Sequence, residues 1–207
     1  MPISNLLSFR SWSLTGLTST WKGQPLYDFV QVNGGEADLP EQSKKDENKI
    51  GWTAGALDGV TSHHLIVPKG GEKEQGVTEV VRALEAFLKR ATEETLSKLY
   101  AIVQKELLIS SAEDLQKVIR AKLLNRYKSR IVEAGRYLAT RADDRENVKL
   151  GILLVELSGD ESDRLALELL ATNDEFTLYA AGALTQLVSD LMEHRKASSR
   201  MGSRPGG

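Results

Sequence analysis

The chain has 207 residues, 41% hydrophobic and 27% charged, with a net charge of −2. That is long enough to bury a core without disulfide or metal staples, and it has the composition of an ordinary globular protein. It has no cysteine, which excludes disulfides, thiolate chemistry and Cys-ligated zinc or iron–sulfur centres and fits a reducing, cytoplasmic setting. No apolar run is long enough to span a bilayer.

Residues 1–70 differ in kind from the rest. All three tryptophans (Trp12, Trp21, Trp52) lie here, among scattered glycines. There is no acidic residue before Asp28, and Ser and Thr are frequent from Ser4 to Thr20. An organellar transit peptide shares that composition, but thin basic content and the two tryptophans favour a folded segment. The runs Tyr27–Val32 and His64–Val67 read as strands or extended segments. Asn33-Gly34-Gly35 reads as a turn, and Leu39–Lys49 as a polar loop. The segment is therefore expected to be irregular or small-β, with a boundary at Pro68–Gly71.

From Gly76 the pattern becomes helical. Val77, Val80, Val81, Leu84, Phe87 and Leu88 fall on one face. Thr92 is placed to cap the next helix, whose face is Leu96, Leu99, Tyr100, Val103 and Leu107. Ser111 with Asp114 resembles a capping box. It opens a long helix to about Thr140, with Leu115, Ile119, Leu123, Tyr127, Ile131, Ala134 and Leu138 as its buried stripe. Gly135 lowers helix propensity there but allows a close helix crossing. Asp143 or Asp144 caps a helix to Leu157, Gly159 stops it, and Asp160 caps a short helix over Glu161–Leu170. Asn173 or Asp174 caps the last helix, to about Lys196. The helical domain is thus 71–196, and 197–207 lacks an apolar pattern and reads as a disordered tail.

Asp144–Asp160 and Asp174–Asp190 look like two copies of one unit. Asp144 falls on Asp174, Leu154 on Leu184 and Leu157 on Leu187, which points to a helical repeat. The unit Val148–Leu157, Gly159–Asp160, Arg164–Leu170, Asp174–Leu187, with small residues along Tyr179–Leu184, resembles a short HEAT-like repeat. The resemblance implies a mainly α fold of helical hairpins stacked as a HEAT-like array, which acts as a binding surface. In that frame Leu153, Leu154, Leu157, Leu178, Ala181 and Leu184 are expected to be buried.

Charge is unevenly distributed. Residues 111–141 carry eight basic and three acidic side chains, whereas 143–195 carry twelve acidic and four basic. A protein partner with a basic face is expected to use Asp144, Glu146, Asp174 and Glu175. These acids also sit where helix caps and dipoles favour carboxylates. Lys122, Arg126 and Arg130, at i, i+4, i+8, form the alternative, a phosphate-binding stripe for nucleic acid. An enzyme reading would rest on Asp58, His63 and His64 converging on a metal or a general base. Adjacent strand histidines point to opposite faces, however. Gly55–Gly59 lacks the ending of a phosphate-binding loop. The expectation is a non-enzymatic adaptor, inhibitor or accessory subunit without cofactor, bound to another protein and not to a membrane.

Overall fold

A computed structural model describes residues 12–17, 20–40, 70–105, 108 and 111–201. The protein is mainly helical, and no strand occurs among the described residues. The helices are α1 (Leu26–Asn33), α2 (Gly70–Lys89), α3 (Glu93–Val103), α4 (Ala112–Ile119), α5 (Asn125–Arg141), α6 (Arg145–Ser158), α7 (Arg164–Ala171) and α8 (Asp174–Met201). A π-helical turn, Arg120–Leu124, joins α4 to α5, and a 3-10 turn, Glu161–Asp163, leads into α7.

Three expected elements differ. The run Tyr27–Val32 is helical, not a strand, because Leu26 and Val30 are its buried residues, an i, i+4 pair on one helix face. Helix α2 begins at Gly70, ahead of Gly76 and inside the expected boundary Pro68–Gly71. Helix α8 continues past Lys196 to Met201. His64–Val67 lies outside the described residues.

The stripe Leu115, Ile119, Leu123, Tyr127, Ile131, Ala134, Leu138 is buried throughout. It does not ride on one regular helix. Four successive four-residue steps would carry a stripe about 160° around an ideal α-helix. The π turn and a non-helical Tyr127 (φ −128°, ψ 23°) absorb that drift and hold the stripe on one side.

Helix α6 is buried almost all round, from Val148 to Leu157, as expected of a central core helix. It packs against α5 on one side and α8 on another. The α5–α6 crossing is close because both helices lack side chains there. A Cβ on Gly135 would lie 3.0 Å from the Gly151 carbonyl oxygen, and one on Gly151 would lie 2.8 Å from the Gly135 carbonyl oxygen. Gly159 ends α6 with φ −69°, so it is not needed for left-handed backbone. A Cβ there would meet Val155 O at 2.7 Å and Asp163 Oδ2 at 2.8 Å, so close approach selects glycine.

Residues 12–17 and 20–40 lie as a strap across the helix ends. Trp12 Nε1 donates to Phe87 O (3.1 Å), near the end of α2. Asp143 Oδ2 accepts from Lys22 N (2.8 Å) and Gly23 N (2.6 Å), while its Oδ1 accepts from the Tyr100 hydroxyl (2.5 Å). Leu26 N donates to Ala142 O (2.9 Å), and Asn173 Nδ2 donates to Gly35 O (2.8 Å). Trp21 packs edge-on against Tyr100 and donates to the Tyr137 hydroxyl, which itself donates to Leu17 O. The strap thus supplies partners to helix ends that a bare bundle would leave to water. Of the expected turn Asn33-Gly34-Gly35, Asn33 is the last residue of α1, and Gly34 caps that helix at φ +84° with its N–H on Val30 O.

Candidate docking face on the last helix

The acids expected to face a partner are mostly enclosed. Asp144 is 4% exposed and Glu146 is 6% exposed. Asp144 caps α6, its Oδ1 accepting from Asn147 N (3.1 Å) and Asn147 Nδ2 (2.9 Å). Glu146 accepts from Leu108 N (2.8 Å) and Lys149 Nζ (3.1 Å). Glu175, at the start of α8, pairs with Arg145 (2.6 Å) and with Lys149 (2.5 Å). Of the four, only Asp174 is exposed. They do not form an open acidic face because the starts of α6 and α8 turn their first-turn charges toward each other.

The electrostatics follow from that enclosure. Burial raises the Asp144 carboxyl above its ordinary value, with the Asn147 hydrogen bonds opposing. At Glu175 burial also works against ionisation, but Lys149 and Arg145 outweigh it and hold the carboxyl below its usual range. Burial likewise works against the charged form of Lys149, yet Glu146 and Glu175 raise it above the ordinary lysine value. The Tyr100 phenol is pushed far up by burial and then by its hydrogen bond to Asp143.

The cation stripe is also divided. Lys122 lies in the π turn and is exposed, as is Arg126, which leans over the Tyr127 ring. Arg130 turns inward instead. Its Nη1 donates to Leu88 O (2.8 Å), and its guanidinium stacks over Trp12 (5.7 Å). Arg126, Tyr127, Ser129 and Arg130 line a shallow hollow with Lys89, which is paired with Glu85. One cation of the basic segment answers the acidic one directly: Arg136 forks onto Asp163 (2.6 and 3.0 Å) and reaches Asp160 (3.0 Å). Asp58, His63, His64 and Gly55–Gly59 lie outside the described residues. Among the described residues no three His, Asp or Glu side chains cluster to hold a metal.

The surface that does stand open is the outer side of α8. Phe176, Tyr179, Ala180, Ala183 and Leu187 form its buried face. The opposite side presents Leu178, Val188 and Met192, 57%, 52% and 58% exposed, with Ala181 between them. The hydroxyls on this side are turned back into the helix. Thr177 donates to Asn173 O (2.9 Å), Thr185 to Ala181 O (2.8 Å) and Ser189 to Thr185 O (3.0 Å). Each then offers mainly carbon to an approaching surface. The run Phe176–Ser189 carries no charged residue at all.

This face occupies positions expected to be buried. Leu178 and Ala181 are exposed, and Leu184 is half-buried, while Leu153, Leu154 and Leu157 of α6 are buried as expected. Helix α6 is central and buried almost all round, whereas α8 packs through one side, so apolar residues of α8 can face outward. Asn173, not Asp174, caps α8, its Oδ1 accepting from Glu175 N (3.2 Å). The uncharged run was the sequence signal for an open apolar face, and it was absorbed into the expected core. No family model matches the chain, and no curated protein or solved structure matches it.

Proposed function

We propose that this protein is a non-enzymatic protein-binding module, an adaptor or accessory subunit built from HEAT-like helical hairpins. Two features support the hairpin reading: α5 packs on α6 and α7 on α8 across short connections, and α6 also packs on α8. The observation that carries the functional reading is the outer face of α8. A solvated helix normally sets charged residues opposite its apolar stripe, and α8 does not. An apolar strip left open along a helix marks a surface that a partner covers. Docking on the acids at the starts of α6 and α8 is replaced in this reading by docking on α8.

The test is a comparison of the native chain with Leu178→Glu and Val188→Glu. Both positions are outside the core, so circular dichroism and melting temperature should stay unchanged. A partner recovered from the native source by the unaltered chain, and lost from both variants, is the expected result. Recovery of the same partner by all three chains would remove α8 as the docking face. Loss on substituting Lys122 and Arg126, with strong salt dependence and recovery of nucleic acid, would favour the nucleic-acid alternative.

A further inference from the structure

The order of residues along the outer face of α8 constrains what covers it, and the following rests on the protein-binding reading above. Asp174 opens the face, exposed and in the first turn. Leu178 follows about one turn on, then the small residues Ala181, Thr185 and Ser189, then Met192. All of these are exposed. The helix continues through His194, Arg195 and Lys196. Lys196 falls about five full turns after Leu178, in line with it. The face therefore runs acid, apolar, small, apolar, base. A partner helix of one sign finds no match along it, since any cation that suits Asp174 is repelled at Arg195 and Lys196. Turned end for end, however, the face is its own complement.

We infer that the outer face of α8 receives the α8 of a second copy of this chain, laid antiparallel about a two-fold axis at Thr185. Leu178 of one copy then lies opposite Met192 of the other, and Val188 opposite Ala181. Asp174 of each copy meets Arg195 and Lys196 of the other. Every contact is made twice, as a two-fold interface requires. A parallel pair would set each charge against its own kind and align the helix dipoles instead of opposing them. The small residues at the centre let the two axes come close, near the short end of the usual range of about 8–10 Å. The turned-back hydroxyls of Thr185 and Ser189 allow that approach without stranding a polar group. Helix α8 has 28 residues, so it is about 42 Å long. A strip of that length and roughly 10 Å wide is about half the ~800 Å² per partner of a stable complex. The pair is therefore reversible, with a dissociation constant on the order of 10 µM.

The test is sedimentation velocity of the full chain from about 1 to 300 µM, a range that brackets such a constant. The unaltered chain should pass from monomer to dimer across it. Val188→Glu should hold the chain monomeric with its ellipticity unchanged. Asp174→Lys should weaken the dimer about tenfold, and adding Arg195→Glu and Lys196→Glu to it should restore the dimer. Because the chain has no cysteine, single cysteines report the register. Thr185→Cys should cross-link to itself on oxidation, whereas Leu178→Cys should cross-link only when mixed with Met192→Cys. A chain that stays monomeric throughout, a dimer indifferent to Asp174→Lys, or Leu178→Cys joining to itself faster than Thr185→Cys overturns the inference. So does Val188-dependent binding of a monomeric chain to phosphatidylcholine vesicles. If the chain stays monomeric while a native partner is still lost on Val188→Glu, only the second copy falls. If that partner is also unaffected, the docking role of α8 falls with it.

Discussion

Gly151 stands where no side chain fits, wedged between Ala139 N and the Gly135 carbonyl. Gly151→Ala must push α5 and α6 apart and should cost about 1–3 kcal/mol, read as a lowered urea midpoint. Ala181→Leu is the matching control. A larger side chain there reaches solvent, so the expected change is within about 0.5 kcal/mol. Lys149 tests a different kind of closeness, since it holds Glu146 and Glu175 together in a buried setting. Lys149→Met leaves those carboxylates with one fewer cation and should cost on the order of 3 kcal/mol at neutral pH. The pH dependence has a definite sign. Glu175 ionises below its ordinary value of 4.5 in the folded chain. Its pairing therefore stabilises fully above that value and is lost as pH falls through the lower folded one. Denaturation midpoints of Lys149→Met and the unaltered chain should converge as the pH is taken below about 4.

Elements were legible where one physical cause dominated. The face of α2 and the long stripe through α4 and α5 are apolar patterns, and burial follows pattern directly. Thr92 is a cap by chemistry: its hydroxyl accepts from Thr95 N, and Thr95 Oγ1 accepts from Thr92 N (3.1 Å). Ser111 shares the pattern but makes no such side-chain bond. Thr92→Ala should therefore lower stability by about 1 kcal/mol and Ser111→Ala by clearly less, as measured by denaturant titration. Where two residues could cap, at Asn173 and Asp174, the sequence left a one-residue choice. Leu178 and Ala181 were expected in the core because apolar residues run along every side of α8 up to Val188, and only packing decides which side faces inward. The acids were misjudged for a related reason. A carboxylate at a helix start satisfies the same rule whether it meets water or, like Glu175, the cations of a neighbouring helix. Only tertiary packing separates the two, so the exposed face on α8 and the enclosed charges at the start of α6 had to come from the structure.

At the scale of the whole molecule, the N-terminal strap and the helices are stabilised by different means. The helices share an apolar core centred on α6. The strap adds Leu26 and Val30 to that core but is fastened largely by hydrogen bonds at helix ends, with Asp143 receiving two of them. The tryptophans fall unevenly across these two parts: Trp12 and Trp21 are both in the strap, and residues 70–201 contain none. With Trp52→Phe as the background, intrinsic tryptophan emission is thus a reporter of strap docking, whereas far-ultraviolet ellipticity reports the helices. In a single cooperative unit the two signals melt together. Asp143→Ala removes the acceptor shared by Lys22, Gly23 and Tyr100, and it should pull the emission midpoint below the ellipticity midpoint. Coincident midpoints in that variant would mean that the strap and the helices melt as one body.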